Sequence, residues 1–283
     1  MQKPTHPLIS IMDVSDWKLA AEWVDRKLTL GVYFISLKDK SCGIHYGRNS
    51  YDFDEGLMIF TSPNQLIIQK KELTYNEIQG KVLFFHPDLI RSTPLGKRID
   101  SYKFFSYDIH EALHLSENEQ NTILDCFSII EEEIKGRIDN HSQTVISSSI
   151  ELLLNLSNRY YERQFHTRTG LNSDLISSFN TMLKEYYDEG KFVQFGIPNV
   201  DYFADALHFS TNYLSDLLKK QTGYTAKDHI NKFIIDKAKS LLLGKTDTVN
   251  EIAYSLGFNY PHYFSRMFKA NTGTTPLEYR RLN

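Results

Sequence analysis

Cysteine is scarce. Cys42 and Cys126 are the only two in 283 residues, too few for a disulfide framework or a zinc finger. A reducing cytoplasm is therefore the expected compartment. No apolar run approaches the roughly 20 residues that a membrane-spanning helix needs, so no membrane partner is expected. The opening residues MQKPTHPLIS contain no apolar stretch of the kind found in an export signal. An overall basic excess is missing too: 32 Lys+Arg stand against 35 Asp+Glu, a net charge of −3. No Ser/His/Asp or Cys/His constellation appears in recognisable local context, so nothing is nominated as catalytic and no cofactor is implied.

The charge is unevenly divided. Residues 210–283 carry 11 Lys+Arg and 6 Asp+Glu, a net of +5, which leaves −8 on the remainder. A basic C-terminal part joined to an acidic remainder suits a nucleic-acid module attached to a domain that does not touch nucleic acid. The length allows two ordinary domains, and 41% hydrophobic residues suffice for a core in each.

Residues 248–283 are the most informative stretch. Val249, Ile252, Ala253 and Leu256 recur at helical spacing. Thr248 and Glu251 fit a capping box, and Gly257 fits a turn that needs positive φ. Pro261 suits the first position of a second helix, in which Phe264, Met267 and Phe268 make the apolar stripe. His262, Ser265, Arg266 and Lys269 fall on the opposite face. The stretch reads as helix, tight turn, helix and a short stop, a helix-turn-helix whose second helix fits the DNA major groove. A second such unit precedes it. Its first helix spans 200–207, His208 and Phe209 turn, Ser210 caps a helix over 211–221, and Gly223 ends that helix. A connecting helix over 226–243 carries Ile230, Phe233, Ile234, Ala238, Leu241 and Leu242. Another helix, over 174–189, precedes both units.

The pattern Ile252-Ala253, Gly257-Phe258, Tyr263-Phe264-Ser265-Arg266, Phe268-Lys269, Gly273, Pro276 and Tyr279-Arg280 resembles the AraC/XylS-type bacterial transcription regulators. The likeness covers the last hundred or so residues. It implies two reading helices held by a rigid connector in successive major-groove segments, about 34 Å apart. Promoter DNA, RNA polymerase and a second copy of the chain are the implied partners, and activation is the implied sign of regulation.

Within the reading helices, Arg266 is the leading base reader, because a guanidinium can bond guanine O6 and N7 together. His262 and Ser265 join it. In the first unit Asn212 suits adenine, and Ser215 is small enough for close approach. Asp216 stands where the family frequently has a basic residue, and near DNA it needs a cytosine N4 to bond. Lys219, Lys220 and Lys269 suit phosphates; each also reads as a solvated surface charge.

Upstream of about residue 115, strand-like runs at 29–37, 41–46, 57–61, 66–69 and 82–86 alternate with turn clusters, which suggests an antiparallel sandwich or barrel. The family resemblance implies a small cupin-like barrel. A metal-binding cupin would offer two neighbouring histidines, a glutamate and a later histidine. His45 stands alone and His86 lies far from it, so no metal is expected. Tyr33, Tyr46, Phe53, Phe60 and Phe84 either line a cavity for a small-molecule effector or simply fill the interior. Helices are expected over 116–138, with Ser116 and Glu119 as a capping box, and over 143–165. That antiparallel pair either covers the barrel, pairs with its copy in a homodimer, or does both. The polar run 166–173 reads as a linker.

The expected fold is α+β in two domains: residues 1–165, a cupin-like antiparallel β barrel with a helix pair for sensing and dimerisation, and residues 174–283, an all-α DNA-binding domain with two helix-turn-helix units. A DNA-binding regulator and not an enzyme is the expected function. A regulator without an effector, and a cupin-type enzyme fused to a DNA-binding domain, are the alternatives.

Overall fold

The β-branched and aromatic runs do pair as strands, but in an open arrangement. The computed structural model describes residues 6–14, 27–39, 56–68, 79–108, 111–167, 169–244 and 247–282. The chain divides into two units, Met1–Arg168 and Thr169–Asn283. In the first, the strands are β1 (Ile9–Asp13), β2 (Lys27–Thr29), β3 (Tyr33–Asp39), β4 (Gly56–Thr61), β5 (Leu66–Ile68), β6 (Gly80–Phe85) and β7 (Leu113–Leu115). A five-stranded antiparallel sheet has the order β1-β6-β3-β4-β7, and β2 pairs with β5 separately. Among the described residues no ladder joins β1 to β7, so the larger sheet does not close on itself as the barrel expectation required. The run expected as one strand over 29–37 is two elements: Thr29 ends β2, and the chain bends at Gly31 before β3 begins. The strand expected over 41–46 lies outside the described residues.

Strand alternation gives the sheet two apolar faces. Ile35, Met58, Phe60, Leu83 and Phe85 share the face that meets the helices. Val82, Phe34 and Phe84 form a smaller cluster on the other. Two short helices, α1 (Pro87–Ile90) and α2 (Pro94–Arg98), and two 3-10 turns follow β6 and bring Phe104 and Phe105 against Phe60.

The helix pair forms where the apolar spacing put it, as α3 (Glu117–Lys135) and α4 (Ser142–Thr167). Ser116 and Glu119 make both bonds of the expected capping box. Glu119 does more than cap: Arg163 of α4 donates to its two carboxylate oxygens at 3.1 and 2.7 Å and to the His114 carbonyl at 2.6 Å. One turn of α4 also supplies β7 with hydrogen bonds a neighbouring strand would otherwise give. The Gln164 carbonyl accepts from His114 N–H at 2.7 Å, its amide donates to the Ala112 carbonyl at 3.1 Å, and the Tyr161 hydroxyl donates to the Glu111 carbonyl at 3.2 Å. Gln164 is fully buried, so these bonds satisfy backbone groups that water does not reach.

The second unit is helical: α5 (Thr169–Asp188), α6 (Lys191–Phe195), α7 (Val200–Leu207), α8 (Thr211–Thr222), α9 (Ala226–Gly244), α10 (Val249–Ser255), α11 (Pro261–Thr272) and α12 (Pro276–Leu282). Residues 169–173, expected in a linker, are the first turns of α5. The short stop expected after α11 is a further helix, α12, whose first turn is capped by Thr275 and Glu278. One core spans the unit: Phe203, Leu214 and Leu218 from the first helix-turn-helix, Ile230, Ile234, Ala238 and Leu242 from α9, and Ile252, Leu256, Phe264 and Phe268 from the second.

Candidate nucleic-acid interface

The two turns are built from different residues. In the first, Asn199 caps α7 by accepting from Tyr202 N–H at 3.0 Å. His208 takes the left-handed conformation that ends the helix, at φ 60°. Ser210 then accepts from Tyr213 N–H at 3.2 Å and starts α8. Thr211 donates to Asp201 at 2.7 Å, tying the first turns of α7 and α8 together.

In the second, Thr248 and Glu251 make a complete capping box, whose hydrogen bonds hold the Glu251 carboxyl below its ordinary range. Gly257 carries the turn at φ 91°. A Cβ there would stand 3.0 Å from the Gly196 carbonyl carbon and 3.2 Å from Ile197 N. The turn therefore lies against the backbone between α6 and α7, and only a hydrogen fits between them. Tyr186 and Tyr187 of α5 secure the place by donating to the Gly196 and Leu256 carbonyls.

Arg280 of α12 donates through Nε to the Leu242 carbonyl at 3.1 Å and through Nη2 to the Asp247 carbonyl at 2.7 Å. It joins the end of α9 to the segment that starts α10. The sequence pattern marked Arg280 without showing this role, because the two carbonyls lie 38 and 33 residues away.

α8 and α11 are both 12 residues long, and each ends at a glycine with φ 81°, Gly223 and Gly273. The residues nominated on them distribute as follows. Asn212, Lys219 and Lys220 on α8 are exposed, and Ser215 and Asp216 are half-buried. His262, Arg266 and Lys269 on α11 are exposed, and Ser265 is half-buried. α11 and its N-cap residue also present two aromatics that were not nominated as site residues: Tyr260, 60% exposed, and Tyr263, 49% exposed. The Arg266 guanidinium carbon lies 5.4 Å from the Tyr263 ring centre. Their i, i+3 spacing was the available signal.

Of the residues nominated for an effector, Tyr33 and Phe60 share one face of the sheet and Phe84 lies on the other. Tyr33 is half-buried, stacked on Phe85 at 4.8 Å and edge-on to Phe105 at 5.1 Å. Burial pushes its hydroxyl pKa up. Phe60 is buried on the same face, 4.5 Å from Phe104. Phe84 lies on the opposite face, 5.4 Å from Phe34. Tyr46 and Phe53 lie outside the described residues, as does His45. His86 caps α1, its Nδ1 accepting from Asp88 N–H at 3.2 Å. Among the described residues no group of three or more His, Cys, Asp or Glu side chains is arranged to hold a metal.

A family model described as a helix-turn-helix domain matches residues 203–282. The chain carries an AraC-type helix-turn-helix domain at its C-terminus. The chain is 40% identical over 78 residues to the uncharacterized HTH-type transcriptional regulator YijO of Escherichia coli K12, covering 28% of each chain. It is 37% identical over 84 residues to the xylose operon regulatory protein of the same strain, covering 30% of this chain and 21% of that one. Among solved structures, the C-terminal domain of AraT, a response regulator from Geobacillus stearothermophilus, is 30% identical, with a TM-score of 0.33 and coverage of 37% of this chain and 85% of that one. The chain thus spans less than a third of the length of these two relatives. No described helix of either unit is long and apolar enough to cross a membrane.

Proposed function

We propose that the protein is a cytoplasmic, sequence-specific DNA-binding transcription regulator, acting as an activator on promoter DNA. The carrying observation is the pair of capped helix-turn-helix units built on one core, each turning a polar, largely exposed helix face outward. α9, at 19 residues, extends about 28 Å, a length comparable with the ~34 Å of one duplex turn that two reading helices must span. Arg266, His262 and Ser265 read bases in one major-groove segment. Asn212, Ser215 and Asp216 read them in the next, and Lys219, Lys220 and Lys269 hold phosphates.

The first unit, Met1–Arg168, acts as a sensing and dimerisation domain, and the second, Thr169–Asn283, as the DNA-binding domain. Ile129 of α3 and Val145 and Leu152 of α4 are exposed apolar residues suited to a homodimer contact. A small-molecule effector or dimer geometry then controls contact with RNA polymerase. A regulator without an effector is favoured by one observation: Tyr33 and Phe60 are packed against other rings.

The test is selection of duplexes from a randomised library by the full-length chain, with affinity measured at two salt concentrations. A preferred sequence should emerge, and its binding should weaken steeply with salt as counterions are released. Arg266→Ala should cost about 1–3 kcal/mol and relax one base position. Asp216→Ala should weaken only sites carrying one cytosine; a gain on all sequences would make Asp216 a repelling charge. No preference for any duplex would refute the function.

A further inference from the structure

α11 opens on an aromatic cluster whose two tyrosines take no part in the base and phosphate contacts proposed above. The His262 ring lies 4.2 Å from that of Tyr263 and 5.7 Å from that of Tyr260, and the two tyrosine rings are 6.0 Å apart. Arg266 lies over Tyr263 on the next turn. Tyr260 is the N-cap residue, yet its side chain makes no capping bond. Single exposed aromatics are ordinary; three adjoining rings with a guanidinium laid against one of them form a continuous surface. The helix repeat does not produce it by itself. α8 has the same spacing in Tyr213 and Asp216, but Tyr213 is buried and stacks on Phe209 at 5.4 Å, and the residue three on is an acid.

A guanidinium resting on a ring keeps its N–H edge free, because those donors lie in its own plane, and it loses rotamer freedom before it binds. That edge suits guanine O6 and N7. The faces of the tyrosine rings beside it are largely apolar, and none of the three rings has a comparable hydrogen-bonding fork. On the floor of the major groove the one apolar group is the thymine methyl.

We propose that Tyr263 positions Arg266, and that Tyr260, His262 and Tyr263 together pack on the methyl group of a thymine next to the guanine that Arg266 reads. The second unit then recognises a thymine–guanine neighbourhood partly by apolar contact. This rests on the DNA-binding function proposed above.

The probe is the duplex selected from a randomised library by the full-length chain, together with copies in which each thymine in turn is replaced by deoxyuridine, removing only the methyl group. One thymine should lie within about two base pairs of the guanine whose preference Arg266→Ala abolishes, because one helix end reaches only neighbouring bases. Its deoxyuridine copy should bind about fourfold more weakly, the worth of roughly one buried methyl group. In the Tyr260→Ala/Tyr263→Ala double variant that difference should vanish. Tyr263→Phe should retain the guanine preference and Tyr263→Leu should lose it; both positions are exposed, and circular dichroism confirms that each variant folds. A preferred duplex with no sensitive thymine near that guanine, or a difference that persists in the double variant, overturns the proposal and leaves DNA binding standing. Unaltered DNA binding in all the tyrosine variants also overturns it and marks the patch as a protein contact. If no duplex is preferred at all, the DNA-binding function fails and this proposal falls with it.

Discussion

Replacing Gly257 with alanine tests whether the second turn is held by contact as well as by conformation. At φ 91° an L-residue carries a left-handed penalty of about 1–2 kcal/mol. The new methyl group would also stand 3.0 Å from the Gly196 carbonyl carbon. Backbone cannot swing aside as a side chain does, so the overpacking adds about 1–3 kcal/mol. The expected loss is about 2–5 kcal/mol, a large part of a typical domain's stability. Gly223→Ala is the control. Its φ is 81°, but nothing lies within 4 Å of its added Cβ, so only the conformational penalty of about 1–2 kcal/mol applies. Urea unfolding followed by far-ultraviolet circular dichroism and by amide exchange in α10 and α11 gives both values. Amide exchange in α3 and α4 of the first unit should be unchanged. If the two variants agree within about 0.5 kcal/mol, smaller than either estimated contribution, the contact between Gly257 and the Gly196–Ile197 backbone contributes nothing and the reasoning is wrong.

The second unit should also lose stability on acidification in two stages. Burial, then the nearby Lys232 charge, holds the His229 imidazole below its ordinary 6.5, with Asp228 opposing. The unfolded chain therefore takes up the proton first: stability is full above 6.5 and falls as pH drops from there towards the lowered folded value. Asp228, Glu251 and Glu278 have lowered values, so their contribution is lost only at lower pH, as their folded carboxylates protonate. His229→Gln should remove the first stage from a series of unfolding curves. Arg280→Ala, which frees the Leu242 and Asp247 carbonyls, should cost about 2–3 kcal/mol, and Arg280→Lys should recover only part of that in urea unfolding. In the first unit, Gln164→Leu leaves the buried His114 N–H and Ala112 carbonyl without their side-chain bonds and should cost about 2–4 kcal/mol; unchanged amide exchange in α4 and β7 under urea would contradict this.

The second unit was legible because its signals are local. Ser210 and Thr248 announce helix starts, and the 3.6-residue apolar spacing shows which face is buried. α7 runs over 200–207 as expected. The first unit was less legible because sheet order is a long-range property: β1 pairs with β6 some seventy residues later, and no turn residue records that choice. β7 is only three residues long, too short for an alternation pattern. The same limit applies to function. Arg266 and Lys269 could be nominated from helical spacing, whereas the tie between Arg280 and two distant carbonyls needed coordinates. His208 shows a smaller gap: its side chain gives little hint that its backbone takes the conformation glycine usually supplies.

Tyr161, Arg163 and Gln164 grip the backbone of residues 111–114, so α4 is geared to the sheet edge rather than laid upon it. The same helix ends at Thr167, and α5 opens at Thr169. The chain's only covalent route out of the first unit thus departs within about two helical turns of side chains that are fastened to a strand. A shift of β7 by even a fraction of a hydrogen-bond length has to be answered by those side chains, and so by the stretch of helix that leads out of the first unit.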